Sequence, residues 1–230
     1  MTTLLLVRHG LTAMTGPVLA GWTPGVHLND RGKEQAAALA ERLRPVPVVA
    51  VVSSPLERCH ETAAAIATGR EGLTVATDDR LGECQYGDWT GQELKKLAKD
   101  PLWKVVQAHP SAAAFPGGEA LRDTQVRAVD AVREHNARLG DDATWIAVSH
   151  GDVIKAIVAD ALGMHLDMFQ RIQIDPCSLT VIRYTTLRPF VVRLNDLGGS
   201  VADLLPPKRR SRRRASSSDA AVGGGSGVSP

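Results

Sequence analysis

The chain has 230 residues, of which 43% are apolar, a size and composition that suit one α/β domain with a sizeable core. Its formal charge of +2 is deceptive, because Lys208, Arg209, Arg210, Arg212, Arg213 and Arg214 place six positive charges within seven residues; residues 1–205 hold 21 basic against 24 acidic side chains, so a nucleic-acid footprint across the domain is not indicated. Cys59, Cys84 and Cys177 are odd in number and widely spaced, with no CxxC pair and no Cys/His cluster at zinc-ligand spacing, and read as free structural thiols of a reducing compartment.

Only Met1, Thr2 and Thr3 precede the first apolar run, Leu4–Val7, which Arg8 ends after four residues. That run is too short for a signal-peptide core or a membrane span, and no later segment is long enough either; the expectation is a soluble, cytoplasmic protein. Leu4–Val7 and Val48–Val52 are continuous and β-branched-rich, as buried parallel strands are. Between them Asn29 is placed to cap a helix running through Glu34 to Leu43. Ser54-Pro55-Leu56-Glu57 reads as a capping box with proline at the first helical position. Leu73–Thr77 and Thr144–Ser149 are weaker strands of the same type. Gly118-Glu119 opens a long helix with Leu121, Ala128, Val132 and Leu139 on one stripe. A helix from His150 to Leu162 follows the fourth strand directly, and Ser178–Tyr184 with Phe190–Leu194 flank the short link Thr185–Pro189 as a terminal hairpin. This alternation predicts a three-layer α/β/α sandwich with a mostly parallel sheet over residues 1–205. From Pro206 the composition shifts to Pro-Pro, the basic cluster, serines and a Gly/Ser run, so 206–230 is expected to be a disordered, solvated tail, with weak contact to an anionic surface or RNA as the alternative.

Placed on that frame, Arg8-His9-Gly10 ends the first strand, Arg58 enters the helix after the second, Glu83 follows the third, and Ser149-His150-Gly151 ends the fourth. Ligands of an open parallel sheet bind beyond the carboxyl ends of its strands, where helix N-termini also point. Two arginines, two histidines and a glutamate converging on one sheet edge make an environment suited to phosphate.

The same residues carry a family resemblance. Leu6-Val7-Arg8-His9-Gly10 resembles the signature of the histidine phosphatase superfamily, in its phosphoglycerate-mutase-like branch. Ser53-Ser54-Pro55-Leu56-Glu57-Arg58 with Thr62-Ala63, Glu83-Cys84-Gln85-Tyr86-Gly87-Asp88-Trp89, Pro116-Gly117-Gly118-Glu119 and Ser149-His150-Gly151-Asp152 follow in family order, and the resemblance spans about residues 3 to 195. It implies a phosphoglycerate-mutase-like fold and a phosphatase acting on a small phosphate monoester, with His9 as nucleophile and Glu83 as proton donor to the leaving oxygen. Arg8, Arg58 and His150 would hold the phosphoryl oxygens, with Gly10, Thr15 and Gly151 completing the phosphate-binding set. Two arginines and one protonated histidine would supply the positive charge that a metal supplies elsewhere, so no metal and no cofactor is expected. The guanidinium groups would lower the pKa of His9.

Departures from the family pattern shape the expectation. Leu11 and Thr12 follow the Arg-His-Gly triplet where many relatives carry an acidic or amide residue, and Thr15 stands where an Asn is common. Cys84, and Glu93 or Leu94, stand where mutases carry an Arg and a Lys that grip a carboxylate. Hydrolysis is therefore ranked above a phosphomutase reaction, and above a non-catalytic phosphate-binding module. The leaving-group pocket is expected from residues 84–118. His27, His60, His109, His135 and His165 have no motif partner and read as surface or half-buried packing residues; Trp89, Trp103 and Trp145 read as packing, and Trp22 as core or pocket rim. The 116–119 turn reads as a plain helix start, with a lid as the alternative. Partners expected are a small phosphorylated substrate, no membrane, no nucleic acid beyond weak tail contacts, and a homodimer as an allowed state.

Overall fold

The computed structural model describes residues 1–199 and Leu205; the expected tail, 206–230, lies outside them. Six strands, β1 (Thr2–Arg8), β2 (Ala50–Ser53), β3 (Val75–Thr77), β4 (Thr144–Ser149), β5 (Leu179–Tyr184) and β6 (Pro189–Asp196), form one sheet in the order β3-β2-β4-β1-β5-β6. The first four positions are parallel and the terminal hairpin β5–β6 is antiparallel. Among the described residues no helix is long and apolar enough to cross a membrane.

The apolar runs of β1 and β4 bury both sheet faces, and successive side chains alternate between them. Leu4 and Leu6 of β1, with Trp145 and Ala147 of β4, belong to one core; Leu5 and Val7, with Ile146 and Val148, belong to the other. The first core is completed by α5 (Leu121–Leu139) and α6 (Gly151–Ala161), together with the smaller α3 (Leu94–Leu97) and α4 (Pro101–Ala108). The second is completed by α1 (Asp30–Leu43) and α2 (Glu57–Ala67). Helices thus cover both faces, and the three-layer sandwich follows. Each fully buried aliphatic side chain contributes about 1.5–3 kcal/mol.

Asn29 caps α1 as expected, its side chain accepting from the Gly32 N–H, with Asp30 in the first turn and Arg42 in the last to complement the helix dipole. Ser54 acts as expected only in part. Helix α2 begins at Glu57, its N-cap residue Leu56 makes no side-chain capping bond, and the Glu57 carboxylate accepts from the Gly25 N–H at 3.0 Å. The Ser54 hydroxyl accepts from the Leu56 N–H at 3.3 Å, just ahead of the helix, and also meets His150 Nε2 at 2.8 Å. Helix α5 begins at Leu121, two residues beyond the expected Gly118-Glu119 start, and Leu121, Ala128 and Val132 of its stripe are buried with Leu139 packed at the margin. β3 is an edge strand and shorter than expected, with Ala76 and Thr77 exposed.

Most of the residues expected to pack do so. Trp145 and Trp89 are buried, and Trp103 packs against Trp89. His135 is more buried than expected, its ring bonded to Asp78 and Arg138. His60 is exposed, His27 pairs with Glu61, and His109 and His165 flank Asp167. All three cysteines are buried and free.

Candidate active site

Strand order decides where the site lies. β4 sits between β1 and β2, with Arg8 level with Ser149 and Ser53 level with Val148. His9, Ser54 and His150 are each the first residue beyond a strand end, so three distant segments deliver side chains to one point.

The backbone at the triplet is tightly packed. A Cβ on Gly10 would meet the Gly32 carbonyl oxygen at 2.6 Å, so the first turn of α1 presses directly on the strand end. The Gly10 N–H donates to Thr62 Oγ1 at 3.1 Å, and that hydroxyl donates to the Arg58 carbonyl at 2.8 Å. Arg58 and Thr62, four residues apart, share the face of α2 that meets His9.

His9 is 5% exposed. Its Nδ1 lies 2.8 Å from the Gly10 carbonyl, which can only accept, so Nδ1 carries the proton. Nε2 is left with a lone pair, and Arg58 Nε donates to it at 3.3 Å. Burial first, then the charges of Arg58 and Arg8, hold the His9 pKa well below its ordinary value; burial thus outweighs the guanidinium effect expected from sequence.

Arg58 is 1% exposed; its Nη2 donates to the Gly21 carbonyl at 2.8 Å and to His150 Nδ1 at 3.2 Å. Arg8 Nη1 donates to the Ile174 carbonyl at 2.7 Å. The buried Arg8 Nε and Arg58 Nη1 have no acceptor among the described residues. Two buried guanidinium N–H groups without acceptors among the described residues, beside an unprotonated imidazole nitrogen, suit an anionic group.

His150 is fully buried. Its Nδ1 accepts from Arg58, so Nε2 carries the proton and donates to Ser54 Oγ at 2.8 Å. Burial, then Arg58 and His9, hold its pKa well below the usual value, so in this state the ring is neutral at pH 7 and not the protonated histidine expected from sequence. Desolvation beside two guanidinium groups is the reason. Gly151 opens α6 against the Arg8 guanidinium, with the helix N-terminus facing the same cleft.

Glu83 enters from the loop after β3. Its Oε2 lies 3.7 Å from His150 Nδ1, and its Oε1 accepts from the Cys84 N–H at 3.0 Å. Burial, then the Asp152 carboxylate, push its pKa up to about 7. The loop is braced from outside. Trp22 Nε1 and Arg127 Nη2 both donate to the Glu83 carbonyl, at 2.6 and 2.9 Å, while Arg127 also binds the carbonyls of Arg80 and Gly82 and the Glu119 carboxylate. The 116–119 turn locks on as well. A Cβ on Gly118 would meet the Gln85 carbonyl oxygen at 2.0 Å, and Glu119 binds the Gln85 backbone through both its N–H and its carboxylate. This segment is neither a plain helix start nor a lid; it is a strut. Trp22 is a brace for Glu83 rather than a core residue.

These residues open on a cavity of about 450 Å³. Thr15 lines it, but its hydroxyl is turned to Thr12 Oγ1 at 3.0 Å. The outer wall is not built where sequence placed it. From residues 84–118 only Tyr86 and Leu94 line the cavity; the rest is Leu11 to Gly21, α6 residues Asp152 and Lys155, and the Ile174–Pro176 turn. Cys84 is buried in the core, so its segment is needed for packing. The 174–176 turn is tied to β1 by the Cys177 N–H, which donates to the Arg8 carbonyl at 3.0 Å, with Cys177 at φ +56°.

Sequence reasoning brought together Arg8, His9, Arg58, Glu83 and His150 correctly in space. It missed Lys155, Arg127 and Ile174–Pro176, and gave Ser54 a capping role without its bond to His150. Tyr86, Thr62 and Asp152 lay inside quoted motifs without a role, whereas the 174–176 turn carries no local signal at all.

Comparison with known proteins agrees with this geometry. A sequence profile described as histidine phosphatase superfamily (branch 1) matches residues 4–197. A glucosyl-3-phosphoglycerate phosphatase of Mycolicibacterium vanbaalenii is 33% identical over 171 residues, covering 71% of this chain and 76% of its own. Phosphoserine phosphatase 1 of Hydrogenobacter thermophilus is 31% identical over 201 residues, covering 85% and 92%. Among solved structures, Bacillus stearothermophilus YhfR superposes with a TM-score of 0.79 at 30% identity, over 85% of this chain and 98% of its own.

Proposed function

The chain belongs to the histidine phosphatase superfamily, and from that premise we propose that it hydrolyses a small phosphate monoester in two steps, through phosphate carried on His9 Nε2. The observation that carries this reading is the His9 tautomer. Nδ1–H is tied to the Gly10 carbonyl, so the lone pair that must attack phosphorus is on the nitrogen beside Arg58.

In the first step Nε2 attacks phosphorus, the bond to the alcohol oxygen breaks, and Glu83 gives its proton to that oxygen. Charge spreading over the equatorial oxygens is met by Arg8 Nε and Arg58 Nη1, donors already in place. In the second step water attacks phosphorus, the ionised Glu83 takes a water proton, the P–N bond breaks, and inorganic phosphate leaves. A carboxyl with a pKa near 7 suits both directions of transfer at neutral pH. His150 would bind a phosphoryl oxygen and gain its proton only when that dianion arrives.

The identities of the relatives, a glucosyl-3-phosphoglycerate phosphatase and a phosphoserine phosphatase, support a phosphorylated metabolite as substrate. Leu94 in the cavity wall and Cys84 in the core, where mutases place cations, support hydrolysis over isomerisation. A cytoplasmic location is part of the same proposal, supported by three free buried thiols.

Rapid-quench labelling with a phosphorus-labelled substrate tests the reading. Wild type should yield an acid-labile, base-stable phosphoprotein, and His9→Ala should yield none while losing several orders of magnitude in kcat. Label that survives acid, on a serine or threonine, would overturn it.

A further inference from the structure

Glu83 stands on a loop rather than on a helix or strand, so the bonds of its own backbone set its place. Its carbonyl accepts twice, from Arg127 Nη2 at 2.9 Å and from Trp22 Nε1 at 2.6 Å. Arg127 belongs to α5 and ties the loop to a core helix. Trp22 comes from the excursion between β1 and α1, whose residues Val18, Leu19, Ala20 and Gly21 line the cavity. The indole also packs directly on the loop, because a Cβ on Gly82 would meet Trp22 Cζ2 at 2.5 Å.

The residue before Trp22 holds the other half of the site. The Gly21 carbonyl accepts from Arg58 Nη2 at 2.8 Å. Two adjacent residues of one segment thus grip the guanidinium fork and the backbone of the proton donor. The segment is itself sewn to the chain after Trp89. Leu19 N–H donates to the Gln92 carbonyl at 2.9 Å, Gly91 N–H donates to the Leu19 carbonyl at 2.8 Å, and Leu94 N–H donates to the Pro17 carbonyl at 3.0 Å.

We propose that Trp22 is a positioning residue for Glu83: its indole N–H fixes the donor's backbone to the same segment that holds Arg58, and so sets the reach of the carboxyl to the leaving oxygen. This inference rests on the reading of Glu83 as general acid. A general acid works only within hydrogen-bond reach of the oxygen it protonates. A misplacement of about 1 Å can cost about 10²-fold in rate. Phosphate bound by Arg58 fixes phosphorus, and with it the oxygen that must leave. The acid therefore has to be held relative to Arg58, and the step from Gly21 to Trp22 supplies that reference within one peptide unit.

The test uses two esters and a double-mutant cycle. Trp22→Phe keeps an aromatic ring beside Gly82 and removes the N–H. It should lower kcat/KM on an alkyl phosphate about tenfold, while leaving unchanged both the first step with p-nitrophenyl phosphate, followed by rapid mixing, and inhibition by inorganic phosphate. In a Glu83→Gln background no acid remains to be placed, so Trp22→Phe should cost nothing further on the alkyl ester. Where Trp22→Phe fails to fold, Gly82→Ala, which crowds the indole from the loop, gives the same readout. If the first variant slows both esters equally, slows neither, or adds its full loss on top of Glu83→Gln, Trp22 is a packing residue and the proposal is overturned. If Glu83→Gln itself slows the first step equally on both esters, the reading of Glu83 fails instead.

Discussion

Arg58 Nε donates to His9 Nε2 across 3.3 Å, so a residue proposed to bind phosphate touches the proposed nucleophilic atom itself. The same guanidinium reaches the Gly21 carbonyl and His150 through Nη2, and among the described residues its Nη1 has no acceptor. One planar fork thus orients both histidines and aims a spare donor.

A point charge cannot do this. Arg58→Lys is expected to lower kcat by about 10²–10³-fold, the usual loss on removing a donor from developing oxyanion charge, with a smaller effect on KM. Steady-state kinetics on a purified, folded variant would check it. A loss below tenfold would mean that position 58 supplies charge alone.

Glu83 should matter in proportion to the basicity of the leaving group. An alkyl phosphate departs as a poor alkoxide and needs the proton; a p-nitrophenyl ester departs as a stable phenolate and needs it far less. Glu83→Gln is expected to reduce alkyl ester turnover by about 10²–10⁴-fold while sparing the first step with the aryl ester. Because ionised Glu83 also activates water, the aryl ester should then show a burst of one product per site. Equal losses on both esters without a burst would make Glu83 a structural residue.

The buried histidines also tie stability to pH. His9 and His150 are held well below their ordinary value of 6.5. In the unfolded chain they take up protons near 6.5, so the stability of their neutral burial is present above that pH and is lost as pH falls below it. Glu83 works the other way: raised from 4.5 to about 7, it contributes stability at low pH that is lost as pH rises between those values. Two histidines outweigh one carboxyl between 4.5 and 6.5, so Tm should fall on acidification through that window. His9→Ala should flatten the decline when Tm is followed by calorimetry. An unchanged slope would mean that His9 protonates freely in the folded state.

The pattern of motifs made the reactive set legible because Arg8, His9, Arg58 and His150 sit at strand ends or a helix start, where local sequence determines position, and Glu83 lies on the loop shortly after β3. The sandwich was legible for a related reason: β1 and β4 are apolar on both faces and alternate between two cores. Ser54 was legible only in part: its local pattern is a helix cap and its hydroxyl does accept from the Leu56 N–H at 3.3 Å, but its shorter bond, at 2.8 Å, is to the buried His150 ring, a tertiary contact no local pattern announces. The outer wall was misplaced because it depends on turns. The 174–176 turn is held at the cavity by contacts distant in sequence, the Cys177 N–H on the Arg8 carbonyl, Arg8 Nη1 on the Ile174 carbonyl and Asn195 on Asp175, which no residues nearby in sequence announce.

The insertion of β4 between β1 and β2 has a consequence for how the molecule comes into being. His9 leaves the ribosome well before the strand that brings His150 beside it, which begins only at Thr144. Until that segment has emerged and slid between two strands made long before, the sheet has a gap where the cavity's floor belongs. Such non-local pairing carries a loop-closure cost and slows folding. A nascent chain that has not yet delivered β4 should therefore be catalytically silent however much of its N-terminal half has formed. Hydrolytic competence should arrive in a single late step, not in proportion to length synthesised.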